Sequence, residues 1–521
     1  MKKLLALLLA TVMLCGLLAA CGRTPITGGV EDNGPQYGGT LIRTCWSNGS
    51  IDPLKVTCYD WTVCVFEQLI VYDAEGQLAP GVCDFTLSDD KLTLTLWVRE
   101  GVKFHDGTDV TIEDVKASFE RACKLKSQIA SNVGAFLTEE NAIKVENNKL
   151  ILTFDEFSVE TLYRLASRQP WVVVMPKRIC DKYGDEYITE PTDLIGTGPY
   201  KIQTASDDGK NVTVVRFDDY KKVAEGRTGI AAPKMAYLDK IVFMLQTDAT
   251  SDYLLMKAGE LHMMYADSDL YKQYKEDGFA MASSQMMSAA YINFNCNKTN
   301  ANLRKAIAAC IDYAWMTQME DDHISNKDTY LPVGGAYTSE KFAGADYAGA
   351  ANVQLAKQYL QAAGYNNEPI KLVVNGNYPY LDVLLKPYFA AAGINLVIET
   401  MEDGAHATFV ANLDNDWHIN WGTSKIVDKP TSLPPRFISD GWKNEQASEL
   451  MAEMAGYALG SAESLAVWAQ LDQLLADECP SVCFGWSAAD LRAQHPDLVV
   501  LCEGNTDYIY NAYWKNPEAH K

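Results

Sequence analysis

Basic charge is scarce in this chain of 521 residues: 45 Lys and Arg stand against 68 Asp and Glu, for a formal charge of −23. Nucleic acid and anionic lipid both call for a basic face, so neither is a general partner. Long apolar runs are missing beyond the first twenty residues, and no later stretch approaches the roughly eighteen residues that a spanning helix needs. Thirteen cysteines contain no C-x-x-C pair, and Cys479 and Cys483 have no second pair or nearby histidine to complete a zinc site. The seven histidines show no H-x-x-x-H or H-x-E spacing, so no metal ligand is assigned. Gly196-Thr197-Gly198-Pro199-Tyr200 lacks the Lys-Ser/Thr of a phosphate loop, and Gly485-Trp486-Ser487 lacks the second glycine of a nucleophile elbow. No Ser/His/Asp or Cys/His constellation assembles, and no cofactor is implied. The chain reads as a non-enzyme.

At 48% hydrophobic and 22% charged, the composition is that of a folded protein with sizeable cores. Its length suggests two to four domains. Met1-Lys2-Lys3 and the apolar run Leu4–Leu18 read as a signal peptide over 1–20. The run ends in Leu18-Ala19-Ala20-Cys21, which resembles a lipobox with Cys21 as the lipidated residue. Cleavage there removes Lys2 and Lys3 and no acid, moving the charge from −23 to −25. Residues 21–36, with glycines and prolines and little to bury, read as a flexible stalk. The expected location is extracytoplasmic, tethered to the bacterial membrane by acyl chains. Of the eleven cysteines that remain, most read as small buried hydrophobes, with a structural disulfide left open.

Local patterns place several elements. Gly38-Gly39 leads into a strand from Thr40, and Leu92–Val98 alternates as a half-buried strand. Thr111 caps a helix with Asp114 at its third position, and Val115, Phe119 and Ala122 form its apolar stripe. A second helix is expected over Asn302–Trp315. From 352 the pattern alternates: helix 352–363 ending at Gly364, strand 370–374, helix 380–392 ending at Gly393, strand 394–400. Helices follow at about 446–458 and 462–477. This succession predicts an α/β fold with binding edges at strand ends.

Residues 92–122, LTLTLWVREGVKFHDGTDVTIEDVKASFERA, carry a signature that resembles the peptide/nickel/oligosaccharide class of ABC-transporter substrate-binding lipoproteins, solute-binding family 5. Shorter matches keep the same order: Asp52-Pro53, Phe66-Glu67-Gln68-Leu69, Leu78-Ala79-Pro80, Gly196–Tyr200, Asn293-Phe294-Asn295, Leu303–Ile307 with Ile311-Asp312, and Ala356–Tyr365. The resemblance implies a type II periplasmic-binding-protein-like α/β clamp of three lobes with two crossover strands. Lobe I would comprise 37–70, 195–290 and 489–521, an inserted lobe 71–194, and lobe II 291–488. A peptide would be trapped by hinge closure in the cleft between the large lobes. A monomer would deliver it to an ABC permease and its ATPases. In this family His105-Asp106-Gly107 is a structural turn rather than an acid/base pair.

Peptide-binding members carry a tryptophan and, three residues later, an aspartate for the ligand ammonium. Trp421 matches the tryptophan, but Ser424 stands in the aspartate's place and Asp428 is the nearest downstream carboxylate. The loop that supplies a carboxylate-clamping arginine in dipeptide binders reads Asn375-Gly376-Asn377-Tyr378. An unpaired buried ligand charge is costly, so the candidate site is aromatic and amide-lined. It comprises Trp46, Asn48, Tyr291, Asn375, Asn377, Trp417, Trp421, Gly422, Ser424 and Asp428. Trp417 and Trp421 are open to a second reading as core residues. Peptide is the default ligand; an oligosaccharide, another neutral solute or a metal–chelator complex stays open, as does service to a sensor instead of a transporter.

Overall fold

The computed structural model describes residues 32–521, apart from 48, 56–60, 74–76, 126–132, 135–136, 139–141, 156–158, 167–170, 247, 267–269, 284–285, 313–323, 326–336, 338–339, 349, 376–380, 426–439, 458–459, 489–490 and 504–505. Two compact units result. One holds the described residues of 1–157, 161–283 and 490–521; the other holds those of 158–160 and 284–489.

The first unit is built on a sheet of seven strands, in the order Ala280–Ser283, Leu491–Gln494, Met263–Tyr265, Thr40–Cys45, Lys240–Leu245, Asn211–Arg216, Tyr200–Ala205. The opening strand Thr40–Cys45 runs parallel to both of its neighbours, with Arg43 opposite Phe243 on one side and Met263 on the other. A separate antiparallel sheet takes Cys83–Leu87, Thr93–Val98, Lys149–Thr153 and Ile143–Glu146. Against it lies the helix Ile112–Leu125, whose Val115, Phe119 and Ala122 are fully buried. Its N-terminus is the expected capping box: the Thr111 amide and hydroxyl donate to Asp114 Oδ2 at 2.8 and 2.6 Å, and the Asp114 amide donates back to Thr111 Oγ1 at 3.3 Å. One apolar cluster runs through both sheets, including Leu94, Leu96, Phe119, Ile241 and Phe243.

The short motifs act as joints of this unit. Buried Asp52 takes an ion pair from Arg121 at 2.5 Å and the Ile188 amide at 2.8 Å. Glu67 accepts from the Thr197 hydroxyl at 3.1 Å and the Tyr220 hydroxyl at 2.7 Å. His105 bridges to the Gly-Thr-Gly turn, with Nδ1 accepting from the Gly196 amide at 3.2 Å and Nε2 lying 3.0 Å from the Gly198 carbonyl. Asp106 Oδ1 receives the Thr108 amide and hydroxyl, and Gly107 takes a left-handed φ of 86°. The stretch is a turn with a bonded imidazole at its base.

The second unit centres on a six-stranded mixed sheet, in the order Ile324–Ser325, Ser481–Ala488, Met286–Phe294, Ile419–Lys425, Ile370–Asn375, Leu396–Met401. Ile370–Asn375 is parallel to both of its neighbours. Helices Val353–Ala363 and Leu381–Ala392 end at Gly364 and Gly393, which adopt left-handed φ of 71° and 92°. The long pair appears as Glu445–Ala455 and Ala462–Glu478. The helix expected over Asn302–Trp315 is shorter: Ala301–Ala308 is helical, and a turn carries Cys310 and Ile311 into the core. Residues 313–315 lie outside the described part.

Nine cysteines are free thiols among the described residues, seven of them buried. Burial pushes the Cys83, Cys310 and Cys479 thiols up to about 12, so they stay protonated and pack as small hydrophobes. Among the described residues no helix is long and apolar enough to cross a membrane.

Candidate ligand-binding site

In open α/β sheets, ligands bind at the carboxyl ends of parallel strands. The first unit has such an edge where Thr40–Cys45, Lys240–Leu245 and Met263–Tyr265 finish side by side. Trp46 stands there 56% exposed, with its ring 6.2 Å from that of Tyr265 at an interplanar angle of 30°. The edge is braced by backbone: the Gln246 amide donates to Cys45 O at 2.8 Å, and Gln246 Nε2 reaches Tyr265 O at 3.4 Å. Beneath lies Arg43, fully buried, its guanidinium 5.3 Å from the Tyr265 ring and 5.9 Å from that of Phe243. Its Nε donates to Thr44 O at 3.0 Å. After Trp46, the Ser47 hydroxyl donates to Asp208 O at 2.6 Å and accepts from the Gly49 amide, which pins the loop. The edge thus offers a large apolar ring face over a buried cation. Asn48 lies outside the described residues.

In the second unit, Tyr291, Asn375, Gly422 and Ser424 share one sheet. Tyr291 pairs with Gly422 and Ala289 with Ser424 on adjacent antiparallel strands. Asn375 and Gly422 each lie two residues beyond the Val373–Asn420 pair, so Gly422, in mid-strand, stands level with the carboxyl end of Ile370–Asn375. The backbone therefore gathers these four positions around the level at which Ile370–Asn375 ends. Asn377 and Asp428 lie outside the described residues.

Trp417 and Trp421 take the core reading. Trp417 is fully buried, with its ring N–H donating to Asn412 O at 3.2 Å. Trp421, 2% exposed, packs in the same apolar cluster as Ile419, Ile292 and Val482. Ile419 and Trp421 are two apart on one strand, so period-two alternation sends both indoor, and Trp421 presents no open ring face. The nearby acid Asp416 sits before this strand and is held by Lys371 at 2.6 Å, which lowers its pKa, mainly by that hydrogen bond. Tyr265, Gln246 and Arg43 escaped sequence reading; an arginine within an otherwise uncharged strand was the available signal for Arg43.

A family model described as bacterial extracellular solute-binding proteins, family 5 middle, matches residues 76–444. The glutathione-binding protein GsiB of Escherichia coli strain K12 is 24% identical over 418 residues, covering 74% of this chain and 77% of GsiB. Among solved structures, the ABC transporter substrate-binding protein CtaP of Listeria monocytogenes superposes with a TM-score of 0.76 at 17% identity, covering 92% of this chain and all of CtaP. The oligopeptide-binding protein AppA of Bacillus subtilis, solved with a nonapeptide, gives 0.67 at 18% identity, covering 92% of this chain and all of AppA. These structures share the type II binding-protein fold that the sequence resemblance implied. The chain belongs to family 5 of the bacterial extracellular solute-binding proteins, and its work is binding outside the cytoplasm, not catalysis.

Proposed function

We propose that this protein is the lipid-anchored substrate-binding component of an ABC importer. It captures a peptide by hinge closure in an interlobe cleft and passes it to the permease. The supporting observation is the exposed Trp46 ring paired with Tyr265 at the ends of three strands, in a family whose relatives include the glutathione-binding GsiB and the nonapeptide-bound AppA. Ser424 stands where peptide binders place the ammonium-pairing aspartate, so the ligand is gripped through ring faces and backbone hydrogen bonds more than through its termini. The same substitution favours a second reading, a neutral solute such as an oligosaccharide.

A thermal-shift screen separates the two. Ligand at a hundredfold excess over Kd stabilises the native state by about 2.7 kcal/mol, a readily visible shift. Mixed peptides, free and N-acetylated, are expected to raise Tm alike, because no terminal ion pair is at stake. A response to di- to tetrasaccharides with silent peptides would replace peptide by sugar. Silence to both would remove both ligand classes.

A further inference from the structure

Three ligand-type side chains converge in the first unit, two of them a residue apart in the chain and the third near its end. His495 and Asp497 follow the strand Leu491–Gln494, and His520 closes the short helical turn Pro517–His520. One donor atom from each lies within 4.8 Å of the other two, and all three side chains are half-buried. Trp514 forms the wall of the cluster. The His520 ring stacks on it at 3.5 Å and 12°, and His495 meets it edge-on at 5.4 Å. The indole N–H is itself tied to Thr40 O at 3.1 Å, so the platform belongs to the central sheet. The two imidazoles are 5.0 Å apart.

We propose that His495, Asp497 and His520 form a binding site for a divalent transition-metal ion, with Zn2+ as the reference case. Two imidazoles and one carboxylate suit Zn2+, Co2+ or Ni2+, whereas Ca2+ and Mg2+ prefer all-oxygen shells. The neighbouring cation Lys515 is held by the backbone between two of the ligands, with Nζ donating to Pro496 O at 3.1 Å. A local adjustment accompanies binding. The Asp497 amide now donates to His495 Nδ1 at 3.1 Å, and that bond is released whichever ring nitrogen ligates, since a neutral imidazole has one lone-pair nitrogen. The site lies beside Thr40, where the opening strand begins, while Trp46 follows the end of the same strand. Six residues of strand, about 20 Å, separate them. The metal therefore fastens the segment 517–520 to the sheet, away from the candidate ligand edge, and the inference stands without the peptide reading.

The test is titration of the full chain, stripped with a chelator, with Zn2+ alone by calorimetry, alongside thermal melts with and without Zn2+. One saturable site per chain is expected, together with a Zn2+-dependent rise in Tm that Ca2+ does not reproduce. His495→Ala and His520→Ala should each weaken that site about tenfold or more and abolish the rise, while His406→Ala, remote in sequence, should leave both intact. Asp497→Asn, nearly isosteric, covers the case in which a histidine variant misfolds, and should likewise weaken binding. Absence of a saturable site, or a site of undiminished affinity in the folded variants, overturns the proposal; so do weak, unsaturated heats alone, which belong to the acidic surface.

Discussion

Asp52 and Arg121, 69 residues apart, form a fully buried ion pair at 2.5 Å that ties the loop after the opening strand to the helix Ile112–Leu125. The carboxylate also receives the Leu54 and Ile188 amides, each at 2.8 Å, and Arg121 Nη2 donates to Glu186 O at 2.8 Å. Breaking such a pair strands a charge in the interior, which typically costs about 3–5 kcal/mol, although the intact pair adds far less over an apolar equivalent. Asp52→Ala and Arg121→Met should each lower unfolding stability by about that amount in urea. The double variant should recover much of the loss. Strictly additive losses would show that the two groups do not act as a pair.

The Gly-Thr-Gly turn makes a different demand. A Cβ on Gly196 would sit 2.1 Å from Val65 O, and one on Gly198 2.4 Å from Cys64 O. Neither glycine has a positive φ, so the need is for space and not for a left-handed backbone. Because the obstacle is backbone, Gly196→Ala and Gly198→Ala should each cost about 2 kcal/mol or more, read as a lower urea midpoint. Gly107→Ala meets no atom within 4 Å, but it must adopt φ 86°, so its cost should be nearer 1 kcal/mol.

The contrast marks what was legible in the sequence. The Thr111–Asp114 box and the glycine stops at 364 and 393 are local, and spacing alone reveals them. Asp52, His105 and Gly196 were visible as motif members, but their roles as joints needed partners 69 to 136 residues away. At the candidate site the same divide appears. Trp46 could be named as an aromatic past a strand end, yet its partner Tyr265 follows only from the parallel pairing of two distant strands. Trp421 was weighed toward ligand by its motif, although alternation with Ile419 already pointed to the core. His495 and His520 share no spacing rule at all; only the fold joins them.

His105 carries a pH dependence. Burial, the main cause, lowers its pKa from 6.5 to about 4, and its Nδ1 needs a lone pair to accept from the Gly196 amide. The unfolded chain takes up the proton near pH 6.5 and the folded chain only near 4. The stability present above pH 6.5 is therefore lost as pH falls from 6.5 towards 4, with no further loss from this group below that. The shift corresponds to roughly 3 kcal/mol at most. Denaturant melts across pH 7 to 4 should show this fall, and His105→Gln should flatten part of it, with His520 contributing in the same direction. An unchanged slope in the Gln variant would assign the acid sensitivity to other groups.

The two tryptophans on which a ligand reading could rest are expected to separate cleanly. Trp46 is more than half exposed at the strand ends of the first unit, so its removal deletes little buried surface. Trp46→Ala should leave Tm within a degree or two and weaken the ligand found in the screen by about tenfold or more, equivalent to about 1.4 kcal/mol. Trp421, packed among Ile292, Ile419 and Val482, would leave a large cavity. Trp421→Ala should cost about 3–5 kcal/mol of stability, and Trp421→Phe less, with ligand affinity near normal in the fraction that folds. Melts and calorimetric titrations on the same preparations decide the matter. If Trp421→Phe lost affinity while keeping its Tm, the indole would have to face the ligand in the closed form, and the motif match would then outweigh its burial. If Trp46→Ala bound normally, the edge formed with Tyr265 would not be where the solute is held.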